Sequence, residues 1–202
     1  MNNKLQHIIF DFDGVIADTA DINWALSQEH DSEATYEDFL AHHDGNALLE
    51  PRIKFRPENR YLFHSEYRNR LKPSHLENAV LPLQRLGALY TLHIISSTSE
   101  ESIKIALRQS GLLDLFSRIF GQETHFSKVE KFKILIHEEG VNEGNSVFVT
   151  DTLGDIKEAH VVGVKTIAET FGFHNRARLE IGEPYALVDS WEEIEQAIEA
   201  FK

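Results

Sequence analysis

Three short apolar runs in this chain each end in an acid or a hydroxyl, and that repetition constrains the fold more than anything else in it. Ile8-Ile9-Phe10 leads into Asp11, Phe12, Asp13 and Gly14. Leu92-His93-Ile94-Ile95 leads into Ser96 and Ser97, and Val147-Phe148-Val149-Thr150 into Asp151, with Asp155 four residues on. Runs that are apolar at successive positions are buried on both faces, as strands of a parallel sheet are. Longer stretches with helical spacing lie between them, such as Val129, Phe132, Leu135 and Ile136 on one face.

The periodicity predicts strands over 5–10, 91–95, 119–120, 147–149, 165–168 and 185–188. It predicts helices near 75–88, 100–110, 129–139 and 156–162. Trp191, Ile194, Ile198 and Phe201 repeat at helical spacing behind Ser190, which gives a final amphipathic helix with its N-cap. Strands alternating with helices imply an α/β fold, a Rossmann-like doubly wound parallel sheet with helices on both sides. Residues 18–74 break this rhythm directly after the first strand and show helical stretches without a convincing strand. The expected organisation is therefore an α/β core from 1–17 and 75–202, with a helical cap inserted at 18–74.

Composition bounds the chemistry. With no cysteine among the 202 residues, disulfides, thiolate metal sites and a cysteine nucleophile are all excluded. The net charge of −13 repels a phosphate backbone, so neither nucleic acid nor an anionic membrane is the expected partner. No apolar run approaches the roughly 18 residues of a membrane span, and a lone lysine before the first strand gives no signal peptide, so a cytoplasmic location is expected. Acids dominate from Ala17 to Glu50, and bases from Arg52 to Lys72, where Lys54, Arg56, Arg60, Arg68 and Arg70 also fall. Two packed helices of opposite charge would account for this, and so would a basic face drawing in a small anion. His42-His43 reads as a solvated feature, and Trp24, Tyr61 and Tyr67 as packing within the inserted helices, with an aromatic free to line a substrate pocket.

In open α/β sheets ligands sit beyond the carboxyl ends of the strands, so the three clusters converge on one rim. Carboxylates at about 4 Å repel by several kcal/mol at an effective dielectric near 20, and a divalent cation removes that cost. An all-oxygen donor set points to a hard ion such as Mg²⁺, held by one or two carboxylates, waters and a substrate phosphate.

At this point the chain resembles the haloacid dehalogenase-like hydrolase superfamily, on its phosphatase branch with a small helical cap. The first motif, Asp-x-Asp-Gly-[Thr/Val] after a strand, is matched by Asp11-Phe12-Asp13-Gly14-Val15. The second, a strand ending in Ser or Thr, is matched by Ser96. The third, a lone lysine before a helix, is best matched by Lys128, with Lys131 and Lys133 on the same predicted helix. The fourth, Gly-Asp-Ser-x-x-Asp, is matched by 150–155 with Thr150 and Thr152 replacing Gly and Ser. Gly163 to Ile167, with Gly172-Phe173-His174, further resembles phosphoglycolate phosphatase-like members.

The resemblance implies Asp11 as nucleophile and Asp13 as general acid and base. It implies Ser96, Ser97 and Lys128 as phosphate-binding, and Asp11, Asp13 and Asp151 as Mg²⁺ ligands, with Asp155 orienting Asp151 or a metal water. The dehalogenases lack the second acid, so Asp13 argues for phosphoryl transfer. The implied enzyme is a Mg²⁺-dependent phosphatase of small phosphorylated metabolites, of phosphoglycolate type. The alternatives are a phosphomutase of the β-phosphoglucomutase kind and a non-catalytic binding module on the same scaffold. Oligomeric state is not legible.

Overall fold

The structure is a computed structural model that describes residues 4–49, 52–53 and 60–201. Its centre is a parallel sheet of β1 (His7–Phe10), β2 (Thr91–Ile95), β3 (Phe116–Phe120), β4 (Ser146–Thr150), β5 (Lys165–Glu169) and β6 (Ala186–Val188). The strand order is β3-β2-β1-β4-β5-β6. The chain moves outward one way from β1 through β2 to β3, and the other way through β4 to β6. The order therefore reverses between β1 and β4, where such sheets open a crevice for a ligand.

Alternation along β1 divides its side chains between two layers. Ile8 and Phe10 join a core with Leu83, Leu86, Ile103, Leu107, Ile194 and Ile198, carried by α4 (Glu77–Gly87), α5 (Glu100–Gln109) and α9 (Trp191–Glu199). Ile9 faces the other way, with Phe148, Phe132, Leu135 and Ala159, the last three from α6 (Lys128–Glu139) and α7 (Leu153–Val161). The doubly wound expectation holds, since a strand buried on both faces needs helices over each. Ser190 caps α9 by accepting from the Glu193 amide.

Between β1 and β2 the described residues form α1 (Ala20–His30), α2 (Tyr36–His42) and α3 (Arg60–Arg70). Thr35 and Asp38 close a reciprocal capping box at the start of α2. Arg70 on α3 grips Glu29 on α1 through both carboxylate oxygens, at 2.7 and 3.0 Å, and Arg68 pairs with Glu101. Helices of opposite charge thus account for this part of the basic stretch. Lys54, Arg56 and the side chains of Arg60 and Tyr61 lie outside the described residues.

Periodicity did not announce the short α8 (Arg176–Glu180) or the full length of β3. The outer residues of β3, Ser117 and Arg118, are polar and exposed because it is an edge strand. Among the described residues no helix is long and apolar enough to cross a membrane.

Candidate active site

Register assembles the rim. Phe10 stands level with Ile94 on β2 and with Val149 on β4. The next positions, Asp11, Ile95-Ser96 and Thr150-Asp151, therefore emerge side by side. Thr150 is level with Ala168 on β5, which brings Glu169 beside Asp151. The Asp11 amide donates to Val149 across 2.9 Å, fixing the backbone as it leaves the sheet.

One ammonium serves two acids at the centre. Lys128, at the first position of α6, places Nζ 3.0 Å from Asp11 Oδ2 and 2.5 Å from Asp155 Oδ2. Thr150 Oγ1 also donates to Asp155 Oδ2, at 2.8 Å. Burial works against the charge on Lys128, but the two carboxylates overcome it and hold the proton more firmly than usual. Burial likewise pushes Asp155 up, and Lys128 brings it below the ordinary range. Asp11 comes out well above its ordinary value, because burial and its acidic neighbours outweigh its share of Lys128. Asp155 Oδ2 thus accepts from both Lys128 and Thr150, and Asp155 also acts electrostatically on Asp11 and Asp151. Lys131 is also buried but donates to the Ser96 carbonyl, and Lys133 pairs with Glu130 at the surface.

Asp13 is held by four donors. Its Oδ1 accepts from Thr19 at 2.7 Å, from Asn23 at 3.2 Å and from the Tyr67 phenol at 2.5 Å, while Oδ2 accepts from Thr98. Thr19, which precedes α1, makes no side-chain cap bond; its hydroxyl is committed to Asp13. As placed, both Asp13 carboxylate oxygens accept hydrogen bonds, three on Oδ1 and one on Oδ2.

Asp151 and Glu169 form a second acidic pair. Asp151 is fully buried; Oδ2 accepts from the Phe173 amide at 2.7 Å, and Oδ1 has no hydrogen-bond partner. Burial raises its pKa to about 7. Gly14 has φ of 78°, and a Cβ there would sit 1.9 Å from Asp151 Oδ2. Close approach to Asp151 therefore explains this glycine. Glu169, which the sequence reading passed over, is equally buried, and burial and Asp151 push it well above its usual range.

Among the described residues, no three His, Asp or Glu side chains stand ready-made around a metal ion. What they offer a hard divalent cation is an oxygen-only set around Asp11 and Asp151, with orphaned Oδ1 of Asp151 and a surplus of buried negative charge. That chemistry fits such an ion.

Ser96 is buried, and its Oγ accepts from the Thr98 amide at 3.1 Å. That bond leaves the hydroxyl proton of Ser96 to donate elsewhere. The cap of α5 is Ser99, which accepts from the Ser102 amide. Ser97 is half-buried on the same wall.

A cavity of about 430 Å³ opens over these groups, and Asp11, Asp13, Ser96, Ser97, Lys128 and Asp155 all line it. Its far wall is aromatic and apolar, from Phe39, Ile53, Phe63, Tyr67 and Phe173. His42 and His43 also line it, packed rather than solvated as expected. Burial lowers their pKa values to about 4 and about 3, so both are neutral imidazoles at pH 7. His43 stacks edge-on against Phe39 and Phe173, and the Arg52 amide donates to His42 Nδ1.

Glu169 could have been found by the rule that found Asp151, an acid closing an apolar strand. Tyr67 and Asn23 gave no such signal, since helical spacing does not say which side chain reaches back to the rim.

Curated relatives align with about half of the chain. It is 31% identical to a phosphoglycolate phosphatase of Synechococcus elongatus over 107 residues, 53% of this chain and 50% of that protein. It is 28% identical to the probable phosphatase IndB of Dickeya dadantii over 117 residues, 56% of this chain and 51% of that one. The chain thus spans about half the length of the curated relatives it matches. The crystal structure of a predicted phosphatase from Clostridium acetobutylicum superposes with a TM-score of 0.79 at 16% identity, covering 98% of this chain and 99% of that one, which shows the shared fold. The family model described as haloacid dehalogenase-like hydrolase matches residues 8–169. With its rim of Asp11, Asp13, Ser96, Lys128 and Asp151 in the motif order of that family, this chain belongs to the haloacid dehalogenase-like hydrolases.

Proposed function

We propose that this protein is a Mg²⁺-dependent phosphatase of small phosphorylated metabolites that works through an aspartyl-phosphate on Asp11. The observation that carries this reading is the sharing of one buried ammonium, Lys128, between Asp11 and Asp155. Three buried acids and Lys128 leave a local excess of negative charge that a divalent cation and a phosphoryl group together would organise. Asp11 and Asp151 would hold the cation. Bound there, Mg²⁺ supplies charge neutralisation for the phosphoryl oxygens and keeps Asp11 ionised.

Asp11 Oδ attacks phosphorus in line, and the P–O bond to the leaving alcohol breaks. Lys128 and the Ser96 hydroxyl stabilise the non-bridging oxygens, with Ser97 beside them. Asp13 gives its proton to the departing alkoxide, then takes one from the water that hydrolyses the acyl phosphate. Thr98, Tyr67, Asn23 and Thr19 hold the Asp13 carboxyl in place for this.

We read residues 18–74 as a helical cap over the core, which excludes water during attack and selects the leaving group. The aromatic wall and neutral imidazoles of the cavity suit an uncharged, ring-bearing alcohol. A phosphoglycolate-type substrate would draw instead on the basic stretch. The net charge of −13 on the protein is in keeping with a small metabolite, rather than a nucleic acid, as its partner.

The test is a panel of phosphoglycolate, sugar phosphates, nucleotides and aryl phosphates, assayed for free phosphate with Mg²⁺ and with chelator, beside Asp11→Asn. Phosphate release that needs both Mg²⁺ and Asp11 is expected. Isomer formed without free phosphate would make the enzyme a mutase, and release unchanged in Asp11→Asn would end the covalent route.

A further inference from the structure

Glu169 closes β5 as Asp151 follows β4, and the β4–β5 register sets them side by side. Both side chains are fully buried. A Cβ at Gly172 would lie 2.4 Å from Asp151 Oδ2 and 2.6 Å from Glu169 Oε1, so the two carboxylates flank one small space that only a glycine leaves open. Glu169 Oε2 accepts from the amides of Phe171 at 2.6 Å and Gly172 at 3.1 Å, which ties the turn after β5. Glu169 Oε1 has no hydrogen-bond partner, and neither has Asp151 Oδ1. A buried oxygen without a partner costs stability, the more so when it is charged. Holding the turn needs only the one acceptor oxygen, which a glutamine would supply as well. The turn therefore does not account for a carboxylate at this position.

We propose that Glu169 is an additional carboxylate of the cation pocket, contributing the charge of its unpartnered Oε1 beside Asp151 and so tightening divalent-cation binding. The proposal rests on the reading of Asp11 and Asp151 as the cation site. Glu169 acts on that ion directly or through one of its waters, in the way that groups around metal ligands raise affinity by 10–100-fold. It is dispensable for nucleophilic attack itself, which Asp11 performs.

The experiment is calorimetric titration of MgCl₂ into the substrate-free full chain, for wild type, Glu169→Gln and Asp151→Asn, with unfolding midpoints measured in chelator. Glu169→Gln preserves shape and the turn acceptor, so its chelator midpoint is expected to equal or exceed that of wild type. Its Mg²⁺ dissociation constant is expected to rise at least tenfold, with Asp151→Asn weaker still. Should the glutamine variant not fold, Glu169→Val carries the same comparison. Binding by Glu169→Gln within threefold of wild type would overturn the proposal while leaving the cation site intact. Absence of Mg²⁺ binding by wild type, or binding unaffected in Asp151→Asn, would overturn the site reading itself and the proposal with it.

Discussion

The phenol of Tyr67, on α3 of the inserted helices, donates to Asp13 Oδ1 across 2.5 Å, so a residue 54 positions away holds the second acid of the rim. Burial and the facing carboxylate raise the Tyr67 pKa well above its usual value, keeping the phenol a donor throughout the working range. Tyr67→Phe removes that donor and little volume. It is expected to lower kcat roughly 10- to 100-fold with little change in KM, below the full value of general acid–base catalysis. The loss should be larger for alkyl than for nitrophenyl phosphates, whose leaving group needs no proton. Equal loss for both classes would make Tyr67 a packing residue only.

Among the described residues, Lys128 is the ion-pair partner that Asp11 and Asp155 share. Lys128→Met strands two buried carboxylates, and breaking a buried pair typically costs 3–5 kcal/mol. A loss of about 3 kcal/mol is expected in denaturant unfolding, partly recovered in the double variant with Asp155→Asn. Additive single effects would show that the three groups are not coupled.

Gly14→Ala combines a left-handed backbone, φ 78°, with a Cβ placed 1.9 Å from Asp151 Oδ2. The backbone alone costs about 1–2 kcal/mol, and the clash must displace Asp151 besides. The variant should unfold at least roughly 2 kcal/mol more easily and lose Mg²⁺ binding in calorimetry. Normal binding would mean that Asp151 has room the structure does not give it.

His93 lies fully buried in β2, with Nε2 3.1 Å from His7 Nδ1 and Nδ1 unpartnered. Burial, then His7, lowers its pKa to about 4. A histidine depressed in the folded state protonates first in the unfolded chain. Its stability contribution is thus complete above pH 6.5 and is lost as pH falls from 6.5 toward 4, by up to about 1.4 kcal/mol per pH unit. The unfolding free energy of His93→Phe relative to wild type should therefore improve steadily between pH 6.5 and 4.5. A difference flat with pH would contradict the neutral pair.

How much of this was readable depends on the kind of signal. The strands were legible because Ile8 to Phe10 and Val147 to Val149 are apolar on both faces, the pattern that strands of a covered parallel sheet show. Asp11, Ser96 and Asp151 were legible for the same reason, since each ends such a run. Lys128 was separable from Lys131 and Lys133 only by its place at the start of the helix; the contacts then distinguish it, because Lys131 reaches the Ser96 carbonyl. Asp155 was expected to orient Asp151 or a metal water; that it also accepts from Lys128 and Thr150 is a matter of side-chain direction that spacing does not encode. His42 and His43 looked solvated because adjacent histidines carry no periodicity, yet Phe39 and Phe173 pack on His43, and His43 and the Arg52 amide on His42. Glu169 was hidden in plain view: reading the strand to Ala168 stopped one residue before the acid that ends it.

The most direct measurement is rapid acid quench of the Mg²⁺-loaded enzyme during turnover of an active phosphate monoester, followed by peptide mass analysis. The account predicts one added phosphoryl group on the peptide carrying Asp11, formed within a single turnover and absent from Asp11→Asn. A wild-type enzyme that releases phosphate while that peptide stays unmodified at every quench time, or an adduct that persists in Asp11→Asn, would contradict it.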